Sequence, residues 1–441
     1  MQGLEFDFRH SLIPKTSIFS VAKECKAYLS RLKIAAVDAD YFLPESSLFL
    51  SSDKSLFQKS QQLCRKKKTS KLKYIFVVGI GGSNLGTQAV YEALRGPNDQ
   101  FNEQVWPKLL FADTSSPRLL SSLISIIQSR IRRGDEFLIN LITKSGTTTE
   151  SIVNFEILFQ ALQSQVQDIH DRVVVTTDEG STLWQQAARR GVDCLTIPKS
   201  IGGRYSVFSP VSVFPLSLAG FNMSSFLEGA LLAQDHALGV SKLSQNPTVV
   251  SAVTQYIYYQ QGRTINNHFF FNPELEATGK WFRQLLAESL GKETNTPVQG
   301  ERVGITPIVS IGSTDLHSMA QLYFSGPENQ FTVFVFSRKA SQLQVPKKLF
   351  FPDLVDAIAG ADVSELLGAI YDGTLSTYKK HRMPFIEIQI PDIDERSLGQ
   401  FFQMKMIEVM LLGHLLNVNA FDQPSVEEYK HETRRILKHL H

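Results

Sequence analysis

Short apolar runs alternate with helix-like stretches from about residue 73 onward, and this alternation restricts the possible folds more than any other feature of the chain. The run 74–80 (YIFVVGI) is rich in branched and aromatic residues and contains a glycine near its end. Such a run is typical of a strand that is buried on both faces of a parallel sheet. The runs 109–112, 137–142 and 173–175 repeat it, with a helical spacing of apolar residues between Leu120 and Ile131. We therefore predict a doubly wound sheet domain over residues 68–232.

A second group of strand-like runs follows at 269–271, 305–311, 331–336 and 385–390. It predicts a second α/β domain over residues 245–441, joined to the first at about 238–247, where Gly, Ser and Pro occur. Residues 1–67 have the pattern of an N-terminal helical arm, and helices over 401–416 and 425–439 are predicted to end the chain. The predicted fold class is therefore α/β, with two doubly wound, mainly parallel α/β/α sandwich domains, a helical N-terminal arm and C-terminal helices.

The charge balance narrows the classes of partner. The 45 basic and 43 acidic residues leave a formal net charge of +2, so no global field favours nucleic acid or an anionic membrane. Charged residues interrupt the first thirty positions, which argues against a signal peptide, and no run of about 18 apolar residues predicts a membrane span. Three cysteines without metal-ligand spacing favour reduced thiols. We expect a cytoplasmic protein without nucleic-acid or membrane partners.

A first glycine-rich turn follows the run 74–80 and leads into a helix-like segment. A turn of this kind points backbone N–H groups at an anion, and the most familiar example is a dinucleotide site. The glycines stand at 79, 81, 82 and 86, however, and the dinucleotide pattern would require glycine where this chain has Asn84. The pattern thus disfavours a nicotinamide cofactor, and a tight turn without any ligand remains an equal alternative.

A second turn, at residues 143–150 (TKSGTTTE), has five hydroxyl side chains and one ammonium group before a predicted helix. Hydroxyl donors, backbone amides and the positive end of a helix dipole together suit a phosphate monoester. The spacing and metal ligand of a nucleoside-triphosphate loop are missing. The alternative is a capping box formed by Thr147 and Glu150, which could coexist with a ligand site. We interpret the turn as a sugar-phosphate site.

A third segment places Arg204 after two glycines and before an apolar run. An arginine can hold an anion or a developing enediolate through two parallel donors, although an isolated Gly-Gly-Arg is more often a surface turn. In their order, GIGGSNLG, TKSGTTTE and GGRYSVFSP resemble the glucose-6-phosphate isomerase (phosphoglucose isomerase) family, whose members contain two sugar-isomerase (SIS) domains. The segments 287–292, 314–318 and 421–430 extend the resemblance, which covers about residue 70 to Lys430.

The resemblance implies an activity, which is the reversible isomerisation of glucose 6-phosphate and fructose 6-phosphate through ring opening and a cis-enediolate, in glycolysis and gluconeogenesis. It implies Glu288 as the base that moves a proton between C1 and C2, and Arg204 as the group that stabilises the enediolate. It also implies ring opening by His317 and Lys430. For substrate binding it implies the residues Gly82, Ser83, Thr143, Lys144, Ser145, Thr147, Thr148 and Gln423.

The resemblance further implies a homodimer in which His317 reaches the site of the neighbouring subunit, with no cofactor and no metal. This chemistry is reasonable in itself, because moving a carbonyl from C1 to C2 requires one carboxylate and a cation near the oxygens but no redox group. Thr143 and Ser425 depart from the Ser and Gly that are usual in the family at these positions.

Three alternatives stay open from the sequence. The first is an isomerase that also accepts mannose 6-phosphate. The second is an SIS-type module that binds sugar phosphates without turnover, which would be expected to lose Glu288, His317 or Lys430, although this chain has all three. The third is a nicotinamide-dependent dehydrogenase.

Overall fold

The computed structural model describes residues 3–131, 133–163, 166, 168–240, 242–294, 301–339 and 343–439. The strands within these residues are β1 (Glu5–Asp7), β2 (Leu72–Val78), β3 (Lys108–Ala112), β4 (Glu136–Ile142), β5 (Val173–Asp178), β6 (Asp193–Ile197), β7 (Ile265–Phe270), β8 (Lys292–Glu293), β9 (Arg302–Val303), β10 (Thr306–Ile311), β11 (Gln330–Phe336) and β12 (Phe385–Gln389). The helices are α1 (Lys15–Ala22), α2 (Cys25–Ala35), α3 (Lys54–Lys67), α4 (Leu85–Arg95), α5 (Pro117–Ile131), α6 (Thr149–Gln163), α7 (Thr182–Arg189), α8 (Pro210–Leu218), α9 (Met223–Gly239), α10 (Pro247–Gln260), α11 (Glu276–Leu290), α12 (Thr314–Ser318), α13 (Ala320–Ser325), α14 (Val363–Lys380), α15 (Glu395–Leu415) and α16 (Pro424–Leu437).

The first sheet has the strand order β3-β2-β4-β5-β6, and every pairing in it is parallel. Its strands are buried on both faces because alternate residues of β2 enter two different clusters. Ile75 and Val77 pack towards α4 and α8, whereas Phe76 and Val78 pack towards α5 and α6. The chain passes from β2 to β3 on one side of β2 and then returns to β4 on its other side. The connections after β2 and β4 therefore leave the sheet in opposite directions, and a crevice lies between the carboxyl ends of these two strands. Ligands commonly bind at this position in such sheets.

The second sheet has the order β1-β12-β11-β7-β10. The pairings among β7, β10, β11 and β12 are parallel, and β1 adds to β12 in the antiparallel sense. The N-terminal region therefore contributes an edge strand to this sheet in addition to the helices α1 to α3, whereas the sequence predicts only a helical arm for residues 1–67. The sequence pattern does not reveal β1, because three residues do not establish a period. The predicted α/β class with mainly parallel sheets is confirmed.

One hydrophobic cluster lies between the two sheets. It contains Val77 from the first sheet and Val335 and Ile388 from the second, and α15 crosses it. The helix α15 is buried along nearly its whole length and packs mainly against α9 and α10. None of the described helices is long and apolar enough to span a membrane. The predicted joint at 238–247 holds the end of α9 and the start of α10, and Ser241 lies outside the described residues.

Candidate active site

The first two glycine turns meet because β2 and β4 are neighbours in the sheet. The strand β2 ends at Val78 and leads into a single turn at Gly81–Ser83, and β4 ends at Ile142 and leads into residues 143–148, which we call the hydroxyl loop. Both segments leave the carboxyl ends of parallel strands, so they emerge at the same edge. The sequence-predicted anion sites are thus two sides of one crevice.

The third glycine-rich segment, at Gly203, packs against the first turn, at Gly82, through a backbone contact that only glycine permits. A Cβ atom on Gly82 would lie 2.1 Å from the carbonyl carbon of Gly203, which is impossible without moving the backbone. The Ser206 hydroxyl, which is 3.3 Å from the Gly82 carbonyl oxygen and 2.7 Å from that of Gly203, donates across this junction. Arg204 is therefore held beside the first turn, although the two segments are far apart in the sequence.

The hydroxyl loop is fixed to the end of β5. The Thr143 N–H donates to the Thr176 carbonyl at 3.1 Å, and the Asp178 N–H donates to the Lys144 carbonyl at 3.2 Å. Within the loop, the hydroxyls of Thr143 and Thr148 are 2.9 Å apart, and those of Ser145 and Thr147 are 3.2 Å apart. The helix α6 begins at Thr149, one residue later than a capping box of Thr147 and Glu150 requires, so the loop hydroxyls bond to one another at its amino end.

Arg204 is the most highly connected side chain of the site, and its residue is only 1% exposed. Its Nε donates to the Ser289 hydroxyl at 2.8 Å, its Nη1 donates to Gln423 Oε1 at 2.9 Å, and its Nη2 donates to the carbonyl oxygens of Ala420 and Asp422 at 2.7 and 2.9 Å. A buried guanidinium needs such partners because its charge is costly to desolvate. The surface-turn alternative for Gly-Gly-Arg is wrong here, since the side chain is buried and two distant segments, at Ser289 and at 420–423, bind it.

Glu288 lies in the last turn of α11, a helix that packs against β10 of the second sheet and against α4, which follows β2 of the first sheet. Its Oε1 is 3.2 Å from Arg204 Nη1, and its Oε2 accepts a hydrogen bond of 2.8 Å from Gln284 Nε2. The carboxylate side chain is 19% exposed, so it faces the crevice while its oxygens are held on both sides. This is the arrangement expected of an oriented base that stays accessible to a substrate.

A cavity of about 550 Å³ occupies the crevice between these segments. Ten of the predicted site residues line it, namely Gly82, Ser83, Lys144, Ser145, Thr147, Thr148, Arg204, Glu288, Gln423 and Lys430. The helix α16 borders one side, and on it the Lys430 ammonium forms an ion pair of 2.8 Å with Glu427. A carboxylate, several cations and a row of hydroxyls therefore converge on one space.

Two predicted residues lie elsewhere. Thr143 is buried at the base of the hydroxyl loop, so it supports Thr148 and does not line the cavity. His317 lies in α12 beyond β10, the edge strand of the second sheet, and it is exposed and away from the lining of the cavity. Within a single chain, the described structure thus brings the hydroxyl loop together with Glu288 and Arg204 but does not bring His317 to them.

The electrostatics of the cavity centre on Lys144 and Asp178. Burial lowers the pKa of the Lys144 ammonium, the nearby Asp178 carboxylate raises it, and Arg204 lowers it further. Burial raises the pKa of Asp178, while Lys144 and Lys199 lower it. One carboxylate oxygen of Asp178 is buried without a hydrogen-bond partner in the described structure. The Lys144 ammonium lies in the cavity lining beside the hydroxyls of Ser145, Thr147 and Thr148, and this combination of donors suits an anionic ligand.

Sequence reasoning missed several residues of the cavity. Gln284 stands four residues before Glu288 on the same helix, so the helical spacing could have identified it as the partner of that carboxylate. Asp178 ends β5, and its place at the carboxyl end of a parallel strand was a usable signal. Tyr429 lies within the motif 421–430 but was not named as a site residue, and Thr433 and Arg434, which follow that motif on α16, carried no recognisable signal. The described His, Cys, Asp and Glu side chains form no group of three that could hold a metal ion.

Comparison with known proteins gives a consistent result. A family model described as phosphoglucose isomerase matches residues 27–441. The chain is 30% identical over 364 residues to a glucose-6-phosphate isomerase of Methanocaldococcus jannaschii, covering 82% of this chain and 84% of that protein. It is 32% identical over 404 residues to a glucose-6-phosphate isomerase of Bacillus anthracis, covering 90% of this chain and 86% of the relative.

Two solved structures resemble the whole chain. A hypothetical protein from Thermus thermophilus superposes with a TM-score of 0.85 at 26% identity, covering 98% of this chain and 99% of that one. A glucose-6-phosphate isomerase from Chlamydia trachomatis superposes with a TM-score of 0.80 at 19% identity, covering 100% of this chain and 89% of that one. At this identity the second match supports the fold alone.

Proposed function

The chain belongs to the phosphoglucose isomerase family, and we propose that it interconverts glucose 6-phosphate and fructose 6-phosphate in the cavity described above. The chain is an aldose–ketose isomerase with a sugar-phosphate substrate, as its family membership implies. The observation that carries the assignment to this cavity is the pairing of the Glu288 carboxylate with Arg204 beside the hydroxyl loop. The predicted resemblance to this family is confirmed.

The phosphate end of the substrate is proposed to bind the hydroxyl loop and Ser83. The loop stands at the amino end of α6, where backbone N–H groups and the helix dipole favour an anion. The hydroxyls of Ser145, Thr147 and Thr148 supply further donors, and Lys144 supplies a positive charge. Binding energy from this unreactive phosphate can orient the reacting carbons near Glu288.

Proton transfer is proposed to follow ring opening. Lys430, with His317 from a second copy of the chain, moves the proton between the ring oxygen and the C1 hydroxyl. The Glu288 carboxylate then removes the proton from one carbon of the C1–C2 pair and returns it to the other, and Arg204 Nη1 stabilises the negative charge of the enediolate oxygen. The hydrogen bond from Gln284 supports this role, because it fixes the orientation of the carboxylate.

A homodimer is proposed to complete each site. The support is the position of His317, which is exposed on α12 and absent from the lining of the cavity. A general acid must come within hydrogen-bond reach of its proton, so this histidine could serve the cavity only from a neighbouring copy. We also propose a cytoplasmic location, which is consistent with three free cysteines.

The test is a coupled assay of fructose 6-phosphate formation by the purified protein in the presence of a chelator. Glu288→Gln should lower kcat by about 10²- to 10⁴-fold, because a positioned general base contributes that much to the rate. Binding of sorbitol 6-phosphate, measured by calorimetry, should survive. The matched control is Glu276→Gln on the same helix, where the native carboxylate pairs with Lys280 away from the cavity, and this variant should retain full activity. Normal turnover in Glu288→Gln would refute the assignment.

A further inference from the structure

Lys292 occupies an unusual position for a lysine just behind the cavity. It follows α11 in the short strand β8, its side chain is only 9% exposed, and it is absent from the cavity lining. Its ammonium donates to the carbonyl oxygen of Asn419 and, at 2.8 Å, to that of Asp422. It also forms an ion pair of 2.7 Å with the Asp422 carboxylate. All these contacts fall on residues 419–422, the segment between α15 and α16, which we call the clamp segment.

Arg204 holds the same segment from the other domain. Its Nη2 donates to the carbonyl oxygens of Ala420 and Asp422, so the Asp422 carbonyl receives two charged donors. The segment is also bonded internally, since the Asn419 side chain accepts from the Phe421 N–H at 3.0 Å and donates to the Asp422 carboxylate at 2.9 Å. The bonds that Arg204 and Lys292 donate to the clamp segment are charge-assisted, and such bonds are roughly twice as strong as neutral ones.

The clamp segment carries two groups of the proposed site. Gln423 follows it directly, and α16, with Lys430, begins at the next residue. None of the described residues of α16 is buried, so little hydrophobic packing holds this helix over the cavity. The direction in which α16 leaves the core therefore depends on the segment that precedes it.

Burying the charged Lys292 side chain costs free energy of desolvation, a cost that an apolar side chain in the same place would not have. Burial lowers the pKa of Lys292, the Asp422 carboxylate opposes this shift, and the nearby Arg204 adds to it. A methionine of similar length would fill the same space without the desolvation of an ammonium group. What the ammonium supplies, and an apolar side chain cannot, is two hydrogen bonds to backbone carbonyl oxygens and an ion pair with the Asp422 carboxylate, all within the clamp segment.

We propose that Lys292 is a positioning residue for this reaction, which together with Arg204 holds the clamp segment so that Gln423 and Lys430 face the sugar. The proposal rests on the function proposed above. Lys292 does not touch the substrate. It acts through Lys430 on ring opening, and the phosphate-binding side in the other domain is independent of it.

The test separates ring opening from proton transfer. Interconversion of the α and β anomers of glucose 6-phosphate, followed by exchange NMR, reports ring opening and closing alone. Lys292→Met should slow both this exchange and isomerisation by about 10²-fold, the size expected when a group near the reaction is misplaced by about 1 Å. Glu288→Gln should retain the anomer exchange. Sorbitol 6-phosphate should still bind Lys292→Met, because the hydroxyl loop is untouched.

Two further variants keep the result independent of folding. Asp422→Asn removes the ion pair but leaves the carbonyl contacts, so it should lose less anomer exchange than Lys292→Met. Lys280→Met removes an exposed lysine of α11 and should behave as the wild type. The proposal is overturned if wild type isomerises normally and both Lys292→Met and Asp422→Asn match Lys280→Met. A wild type without isomerase activity would instead refute the proposed function.

Discussion

Arg204 shows how the chemistry of one residue depends on its surroundings. Its guanidinium bonds to Ser289, which lies 85 positions later, and to Gln423, which lies 219 positions later. Arginine is rarely buried unless it is paired, and this one satisfies its donors with a hydroxyl, an amide and two carbonyl oxygens while Glu288 supplies the countercharge. The same guanidinium therefore fixes the base, the sugar-side glutamine and the clamp segment in one arrangement.

The charge of Lys144 gives a prediction at the residue scale. Binding of a phosphate dianion requires the charged ammonium, and burial places the pKa of Lys144 below that of an ordinary lysine. Affinity for sorbitol 6-phosphate should therefore fall as pH rises through this lowered pKa, which lies below that of an ordinary lysine. Lys144→Met should weaken binding at neutral pH by about 1.5–3 kcal/mol, the value of a charged hydrogen bond, and should remove the alkaline decline. Calorimetric titration as a function of pH measures both effects.

The variant Asp178→Asn tests the direction in which the pKa of Lys144 shifts. The Asp178 carboxylate raises the pKa of Lys144, so its removal should move the alkaline decline to lower pH. Lys199→Met, which changes an exposed lysine near Asp178, should leave the position of the decline nearly unchanged. A shift to higher pH in Asp178→Asn would contradict the electrostatic account.

At the scale of elements, a buried polar network joins α15, α10 and β7. The ammonium of Lys405 and the carboxylate of Glu408 are fully buried on α15 and lie 3.0 Å apart. Ser251 of α10 donates to Glu408 at 2.5 Å, and Gln255 of the same helix accepts from Asn266 of β7 at 2.5 Å. The network thus ties the central helix to the second sheet through directed contacts inside an otherwise apolar layer.

This network predicts a strongly asymmetric effect of mutation. Glu408→Leu leaves Lys405 as an unpaired buried cation, which should lower the free energy of unfolding by about 3–5 kcal/mol. The double variant Lys405→Met with Glu408→Leu removes both charges and should lose far less. Equilibrium urea unfolding measures the difference.

The exposed pair of Glu276 and Lys280 is the control for that experiment. Removing this pair by Glu276→Gln should change the free energy of unfolding by less than about 1 kcal/mol, because solvent screens surface ion pairs. If Glu408→Leu proved as stable as the double variant, the buried pair would not behave as a charge that needs its partner.

The elements also show which patterns a sequence can reveal. The strands β2, β4 and β11 were predictable because each is a seven-residue run with strong apolar character, and β12 was predictable from its alternation. Only the apolar end of β7 was predicted, because this strand begins with the polar residues Asn266, Asn267 and His268 after Ile265. The strand β6 (DCLTI) mixes polar and apolar residues at a sheet edge, so its period is weak. The strand β1 has only three residues and gains its strand character from pairing with β12. Edge strands depend on their neighbours more than on their own composition.

At the scale of the whole molecule, the two sheets share one hydrophobic layer. The cluster between them includes residues of the N-terminal helices, both sheets and α15, so the two sheets are joined by apolar packing. The cavity is lined by the segments that follow β2, β4 and β5 of the first sheet and by residues of α11 and α16. The predicted domain boundaries stay predictions, since a shared core gives no sharp division of the chain.

The proposed homodimer predicts complementation between two inactive variants. Glu288→Gln and His317→Ala should each be severely impaired as homodimers. In a heterodimer of the two, one site would contain both intact residues if His317 acts on the neighbouring subunit. Co-expression with different tags, purification of the mixed dimer and the isomerase assay should then reveal restored activity.

Two observations check the complementation result. Analytical ultracentrifugation should show the wild type as a dimer. An inactive mixed dimer would contradict the exchange of His317 between subunits, since a histidine that serves its own chain could not rescue either variant. His317 is exposed, so its replacement by alanine should not disturb the core.

Local patterns in the chain were enough to predict the α/β class, most strands of both sheets, the hydroxyl loop and, through the ordered motifs, the family. These features depend on residues within a few positions of each other, where periodicity, turn chemistry and helix ends act. Only the tertiary structure showed four further features. It pairs Arg204 with Glu288, places Thr143 beneath Thr148, and lets Lys292 bind the clamp segment, and it places His317 away from the cavity. Burial and charge pairing arise when segments distant along the chain pack together, and no local pattern specifies which segments will meet.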